Sequence, residues 1–158
     1  MAEECILESC DVSYVIRIPL QFGWGPDHTS NFFKSSIQLL QKGEIINAFT
    51  DEFRSPLQGY TTARWIGKAV ASILDNASIP NVLHIGNKTA VSRFAFMKQV
   101  ADIYQLDGSL IIPTSQADMN LSPRRPADVS FDTQLALQNI DFVPPTIEQQ
   151  IIQEKEGA

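Results

Sequence analysis

The sequence predicts an α/β fold from three observations. Short runs of β-branched and aromatic residues, bounded by turn formers, alternate with stretches whose apolar residues recur every three or four positions. The first of these runs is apolar almost throughout, as suits a strand covered on both faces of a parallel sheet. The strands are also few and scattered, so the parallel sheet they predict is incomplete.

Residues 2–9 have the composition of a helix end. Val12-Ser13-Tyr14-Val15-Ile16-Arg17-Ile18 then reads as a strand with both faces buried, stopped by Pro19. Gly23-Trp24-Gly25-Pro26-Asp27 is loop chemistry, and the next helix is expected near Ser30, with Phe33, Ile37 and Leu40 on one face and Gly43 at its end. Ile45 to Phe49 makes a short strand, and Asp51 to Gly59, with Pro56 inside it, an extended loop. The clearest helix carries Ile66, Ala69, Val70, Ile73 and Leu74 on one apolar face and closes at Asp75-Asn76 before Pro80. Val82-Leu83-His84-Ile85-Gly86 is another strand. A helix from Ser92 presents Phe94, Met97, Ala101 and Tyr104, with Phe96, Val100 and Ile103 beside them. Leu110-Ile111-Ile112-Pro113 is a strand fragment, and Thr114 to Pro126 is loop. Asp132 is placed to cap a short helix through Leu137, and Thr146 with Gln149 forms the capping-box signature of a last helix.

With 44% hydrophobic and 19% charged residues over 158 positions, the chain lies in the globular range. Its net charge of −6, with no clustered basic stretch, argues against a nucleic-acid partner. No apolar run approaches the ~20 residues of a membrane-spanning helix. The opening residues, Met1 to Glu4, are acidic where a signal peptide is basic, so a cytoplasmic protein is expected. Cys5 and Cys10 have no second Cys/His pair at zinc spacing, and His28 and His84 have no ligand neighbours, so no metal site is predicted.

A dinucleotide site needs a glycine-rich turn so that a pyrophosphate can approach backbone N–H groups. Gly23-Trp24-Gly25-Pro26 has the wrong spacing and reads as a plain loop. The Tyr-x-x-x-Lys pair of short-chain reductases, a general acid with its pKa-lowering neighbour, is also missing. Tyr60 comes nearest, but Arg64 stands where lysine is required, and Tyr60 is expected to pack. No catalytic residue is assigned.

Five blocks nonetheless resemble one family in the right order. Ala2-Glu3-Glu4 leading to Tyr14-Val15-Ile16-Arg17-Ile18-Pro19-Leu20-Gln21-Phe22-Gly23 looks like the segment after the catalytic helix of extended short-chain dehydrogenase/reductases. Asn31-Phe32 is similar to the pair opening their next helix. Phe49-Thr50-Asp51-Glu52-Phe53-Arg54-Ser55-Pro56 resembles the Asp-x-x-(Arg/Gly)-x-Pro segment of the dTDP-4-dehydrorhamnose reductases. Leu83-His84-Ile85-Gly86-Asn87 with Ser92-Arg93-Phe94-Ala95, and Arg125-Pro126-Ala127-Asp128-Val129-Ser130-Phe131-Asp132, resemble two further blocks of that family. The chain departs from it at Ile18-Pro19-Leu20, where the reductases have Thr-Ser and an aromatic, and at Leu57, where they have Thr. The Arg-Ile-Pro variant is similar to the regulatory β subunit of methionine adenosyltransferase, a relative that serves as a binding partner.

The resemblance implies a Rossmann-type extended reductase in which one half binds NAD(P) and the other closes over a nucleotide sugar. It assigns residues 1–25 to the end of the Rossmann part and 26–158 to a small α/β substrate-binding subdomain. Pro19 and Leu20 would face the cofactor, while Phe32, Arg54 and Asn31 would face the sugar nucleotide, with a helix-start cap as the alternative role of Asn31; Arg125 and Arg124 would add to that anion site or anchor their loop. NAD(P) would be held mainly by residues outside this chain. The implied partners are a nucleotide-sugar ligand and a separate Rossmann half or partner enzyme. A sheet left with unpaired edges also predicts homo-oligomers.

Overall fold

The computed structural model describes residues 2–10, 12–25, 31–75, 78–119, 122–123 and 125–157. Pro26, Asp27, His28, the helix start expected near Ser30, Asn76 and Arg124 lie outside the described residues.

The fold is α/β, as the patterning predicts. In chain order it runs α1 (Ala2–Ser9), β1 (Val15–Arg17), β2 (Gln21–Phe22), α2 (Phe32–Gln41), β3 (Ile46–Phe49), β4 (Phe53–Arg54), β5 (Leu57–Gln58) and α3 (Gly59–Leu74). It continues with β6 (Val82–His84), β7 (Val91–Ser92), α4 (Arg93–Tyr104), β8 (Ile111–Thr114), α5 (Gln134–Asn139) and α6 (Ile147–Glu156). Among the described residues the strands form pairs: β1–β6, β2–β5 and β3–β8 are parallel, and β4–β7 is antiparallel.

Two cores organise these pairs. In one, Phe33, Ile37 and Leu40 of α2 meet Met97, Val100 and Ala101 of α4, Ala48 of β3 and Ile151 of α6. In the other, Trp65 and Ala69 of α3 pack with Leu83, Ile85, Ala136, Ile140 and Phe142 under the β1–β6 pair. Polar caps fix the helix ends: Ser92 Oγ accepts from the Ala95 N–H at the start of α4, and Thr146 and Gln149 complete the capping box of α6. At α5 the N-cap is Thr133, without a side-chain cap bond, and Asp132, expected as the cap, stands one residue earlier in a turn in which its carboxylate accepts from the Gln134 N–H at 2.9 Å.

Several expectations need correction. The strand expected from Val12 to Ile18 reduces to Val15–Arg17, with Val12 69% and Ile18 49% exposed. Among the described residues β1 pairs with β6 alone. Val15 N–H donates to Asn81 O and Ile85 N–H to Arg17 O, so alternation in a parallel ladder turns the backbone groups of Tyr14, Ile16 and Ile18 to the opposite edge, where no described strand pairs with them. The apolar stripe of α3 is likewise rotated. Trp65 and Ala69 are buried, whereas Val70 and Leu74, which the periodicity places inside, are 46% and 74% exposed. Tyr60 is exposed rather than packed, with the Arg64 guanidinium 5.9 Å from its ring centroid. The loop expected over 51–59 holds the two short strands β4 and β5.

Candidate functional site: arginines around a buried glutamate

The hairpin-like approach of β4 to β7 brings the start of α4 against Glu52. The Glu52 side chain is completely buried, which is costly for a carboxylate unless cations meet it. Three do. Arg54 donates to Oε1 at 2.9 Å, Arg93 pairs with Oε2, and Arg125 stands 3.9 Å from Oε1. Arg54 and Arg93 are mostly covered, with side chains 13% and 19% exposed, while Arg125 is 52% exposed.

Arg93 occupies the first position of α4, where the helix dipole disfavours a cation. Its guanidinium lies over the Phe32 ring, 4.7 Å from the centroid, so an aromatic face and the Glu52 carboxylate together hold it. Burial lowers the Arg93 pKa from its ordinary range; Arg125 and Arg54 push the same way, and Glu52 opposes them. Cations outnumber anions here even when Asp128, whose own pKa is lowered chiefly by hydrogen bonds from Ser130 and slightly by Arg54, is counted. The surplus suits an anionic ligand, and guanidinium groups match phosphate oxygens in a bidentate way.

Arg54 and Arg93 line a small cleft with Leu20, Phe32, Pro56, Val91, Ser92 and Phe96. Its free space is about 10 Å³, room for no more than one water molecule, and the surface it leaves open is apolar. Of the residues singled out in the sequence, the structure therefore brings Leu20, Phe32 and Arg54 together, with Arg125 beside the same carboxylate. Pro19 packs near Gly86, where an added Cβ would fall 3.5 Å from its ring and 3.3 Å from Ser55. Asn31 turns away. Its Oδ1 accepts from the Lys34 N–H at 2.9 Å as the cap of α2, and its Nδ2 donates to Gly23 O at 2.8 Å. Arg93 and Glu52 were not singled out by sequence reasoning. The available signal was an arginine directly after a Ser cap, a helix start that calls for a carboxylate.

At the carboxyl ends of β1 and β6 a second polar group forms. Arg17 makes a two-point contact with Glu3, at 3.0 and 2.6 Å, and its NH1 reaches His84 Nε2 at 2.9 Å. Since Arg17 can only donate, His84 accepts at Nε2, and its ring stacks on Phe131 with centroids 4.8 Å apart. Among the described residues no group of three or more His, Cys, Asp and Glu side chains is arranged to hold a metal ion, and no helix is long and apolar enough to cross a membrane.

This geometry belongs to a known architecture. A dTDP-4-dehydrorhamnose reductase from Yersinia enterocolitica superimposes with a TM-score of 0.79 at 22% identity, over 96% of this chain and 52% of that one. One from Bacillus anthracis, solved in complex with NADP, gives 0.78 at 20% identity, over 92% and 48%. A UDP-glucose-4-epimerase from Stenotrophomonas maltophila, with bound NAD and formylated UDP-arabinopyranose, gives 0.68 at 16% identity, over 97% and 49%. The chain spans about half the length of these structures. No curated protein matched the sequence. The fold class is thus that of the extended short-chain dehydrogenase/reductases. Within it, the chain belongs to the RmlD substrate binding domain family, which it matches over residues 1–154.

Proposed function

We propose that this chain is the sugar-nucleotide-binding half of an NAD(P)-dependent reductase acting on a dTDP-4-dehydrorhamnose-like substrate. The observation that carries the reading is the arginine surplus around Glu52, with Arg125 half exposed at its edge. In this reading the arginine group takes the diphosphate, with Arg125 and Arg54 as the expected residues and Arg93 added to them. Phe32, which lies under the Arg93 guanidinium, faces the less polar parts of the ligand, and Asn31 orders the approach to it by capping α2. Pro19 and Leu20 face the cofactor, so residues 1–25 serve the cofactor side and 26–158 the substrate side. The two segments share the β1–β6 pair, which couples them mechanically.

Hydride chemistry is supplied by NAD(P) when it is bound, and the residues of this chain hold and orient the keto sugar for it. A second chain or further segment contributes most of the cofactor site and the proton donor. Combining the protein with such an NAD(P)-binding half tests this: NAD(P)H oxidation with a dTDP-4-keto-6-deoxyhexose is expected, and no turnover with any keto sugar counts against it.

A second reading, a non-catalytic binding or regulatory protein similar to the β subunit of methionine adenosyltransferase, draws support from Ile18-Pro19-Leu20, which replaces the aromatic position of the reductases. Co-purification with a larger enzyme and no nucleotide-sugar affinity would favour it.

A further inference from the structure

The Arg54 guanidinium is almost fully occupied inside the protein. NH1 donates to Phe53 O at 2.6 Å and Ala127 O at 3.4 Å, and NH2 donates to Glu52 Oε1 at 2.9 Å and Pro126 O at 3.2 Å. A guanidinium has five N–H donors, so little is left for a ligand. Arg125 is the reverse case. It is half exposed, stands 3.9 Å from Glu52, and has no hydrogen bond to the protein among the described residues.

The two arginines are linked by one ribbon. Phe53 N–H donates to Ala127 O at 2.7 Å, Val129 N–H donates to Phe53 O at 3.3 Å, and Phe53 and Asp128 form a parallel bridge. Two of the carbonyls that Arg54 holds, Pro126 O and Ala127 O, directly follow Arg125 in that ribbon. We infer that Arg54 is a positioning residue that clamps the 125–129 ribbon onto β4, so that Arg125 stands at the carboxylate shared with Arg93 and these two make the anion contacts. The inference rests on the ligand reading proposed above and changes the role of Arg54 within it. A lysine cannot replace the clamp, because one ammonium is a compact point charge that does not span a carboxylate and several carbonyls in a plane.

The test uses the full chain with Arg54→Lys, Arg125→Gln and the double variant. Amide hydrogen exchange reads the clamp, and calorimetry with inorganic pyrophosphate reads the anion site. In Arg54→Lys the Phe53 and Val129 amides are expected to exchange about tenfold faster or more, while the Ile151 amide in α6 keeps its rate, as local opening requires. Pyrophosphate affinity is expected to fall by about tenfold in Arg54→Lys and in Arg125→Gln, with no further loss in the double variant, because groups acting as one unit are not additive. Unchanged exchange, wild-type affinity in Arg54→Lys, or additive losses would overturn the inference. Absence of pyrophosphate binding by the unmodified chain would remove the ligand reading, and the exchange rates alone would then decide the clamp.

Discussion

Arg93 and Glu52 form an ion pair at the first residue of α4, with the Glu52 carboxylate wholly out of water and the Arg93 guanidinium resting on Phe32. The pair offsets a cation that the helix dipole opposes and a carboxylate that burial opposes. Glu52→Gln leaves the arginines without their counter-charge and is expected to cost on the order of 3 kcal/mol. Urea denaturation checks this through a lower midpoint at an unchanged slope. A midpoint equal to that of the unmodified protein would show that the pair contributes nothing.

Acid should destabilise the fold. Hydrogen bonds from Ser115 and the Gln116 N–H lower the Asp51 pKa, Arg17 lowers that of Glu3, and Ser130 lowers that of Asp128. A carboxylate with a depressed folded-state pKa contributes stability that is fully present above its unfolded value, ~3.9 for Asp and ~4.3 for Glu, and is lost as pH falls through the folded value. Melting temperature is therefore expected to fall steadily below about pH 4. Asp51→Asn should flatten that decline, and a melting temperature that rises toward acid contradicts the account.

The buried amide of Gln150 should outweigh an exposed cap. Its Oε1 accepts from the Gln58 N–H at 2.8 Å, and its Nε2 donates to Pro145 O at 2.7 Å and Asn87 Oδ1 at 3.3 Å. Gln150→Leu strands these groups and is expected to cost about 2–3 kcal/mol. Thr146→Ala, which removes the capping box of α6, should cost only ~1 kcal/mol. Equilibrium unfolding of the two variants ranks them, and the reverse order would contradict the hydrogen-bond assignment.

Much of the fold was legible in the sequence. Apolar spacing located α2 through Phe33, Ile37 and Leu40, all buried, and Thr146 with Gln149 announced the start of α6. What periodicity does not carry is which neighbours exist. Ile66, Val70, Ile73 and Leu74 repeat with helical spacing whether or not anything covers them, and the structure leaves Val70 and Leu74 exposed. The same holds for Val12 and Ile18, apolar yet exposed on either side of β1. At the site, Arg54 and Arg125 stood out as cations in recognisable blocks. Glu52 and Arg93 lay in such blocks too without being singled out, because their meaning lies in a contact between residues 41 positions apart in sequence.

Among the described residues no strand lies on the far edge of β1, which leads to a prediction about association. Tyr14, Ile16 and Ile18 turn backbone donors and acceptors outward beside exposed apolar side chains, a template for pairing with another strand. The isolated chain is expected to self-associate as its concentration rises. Ile18→Lys, which places a charge on that edge, should shift sedimentation velocity profiles toward monomer. Equal association of the two proteins would show that the edge plays no part.

Calorimetry comparing thymidine diphosphate with thymidine reads the phosphate contribution to binding directly. Measurable affinity for the diphosphate is expected, weakened by salt and by Arg125→Gln, with thymidine binding much more weakly. Equal affinity for both ligands, or a diphosphate affinity indifferent to Arg125→Gln, would contradict the assignment of the arginines around Glu52 as the anion-holding group.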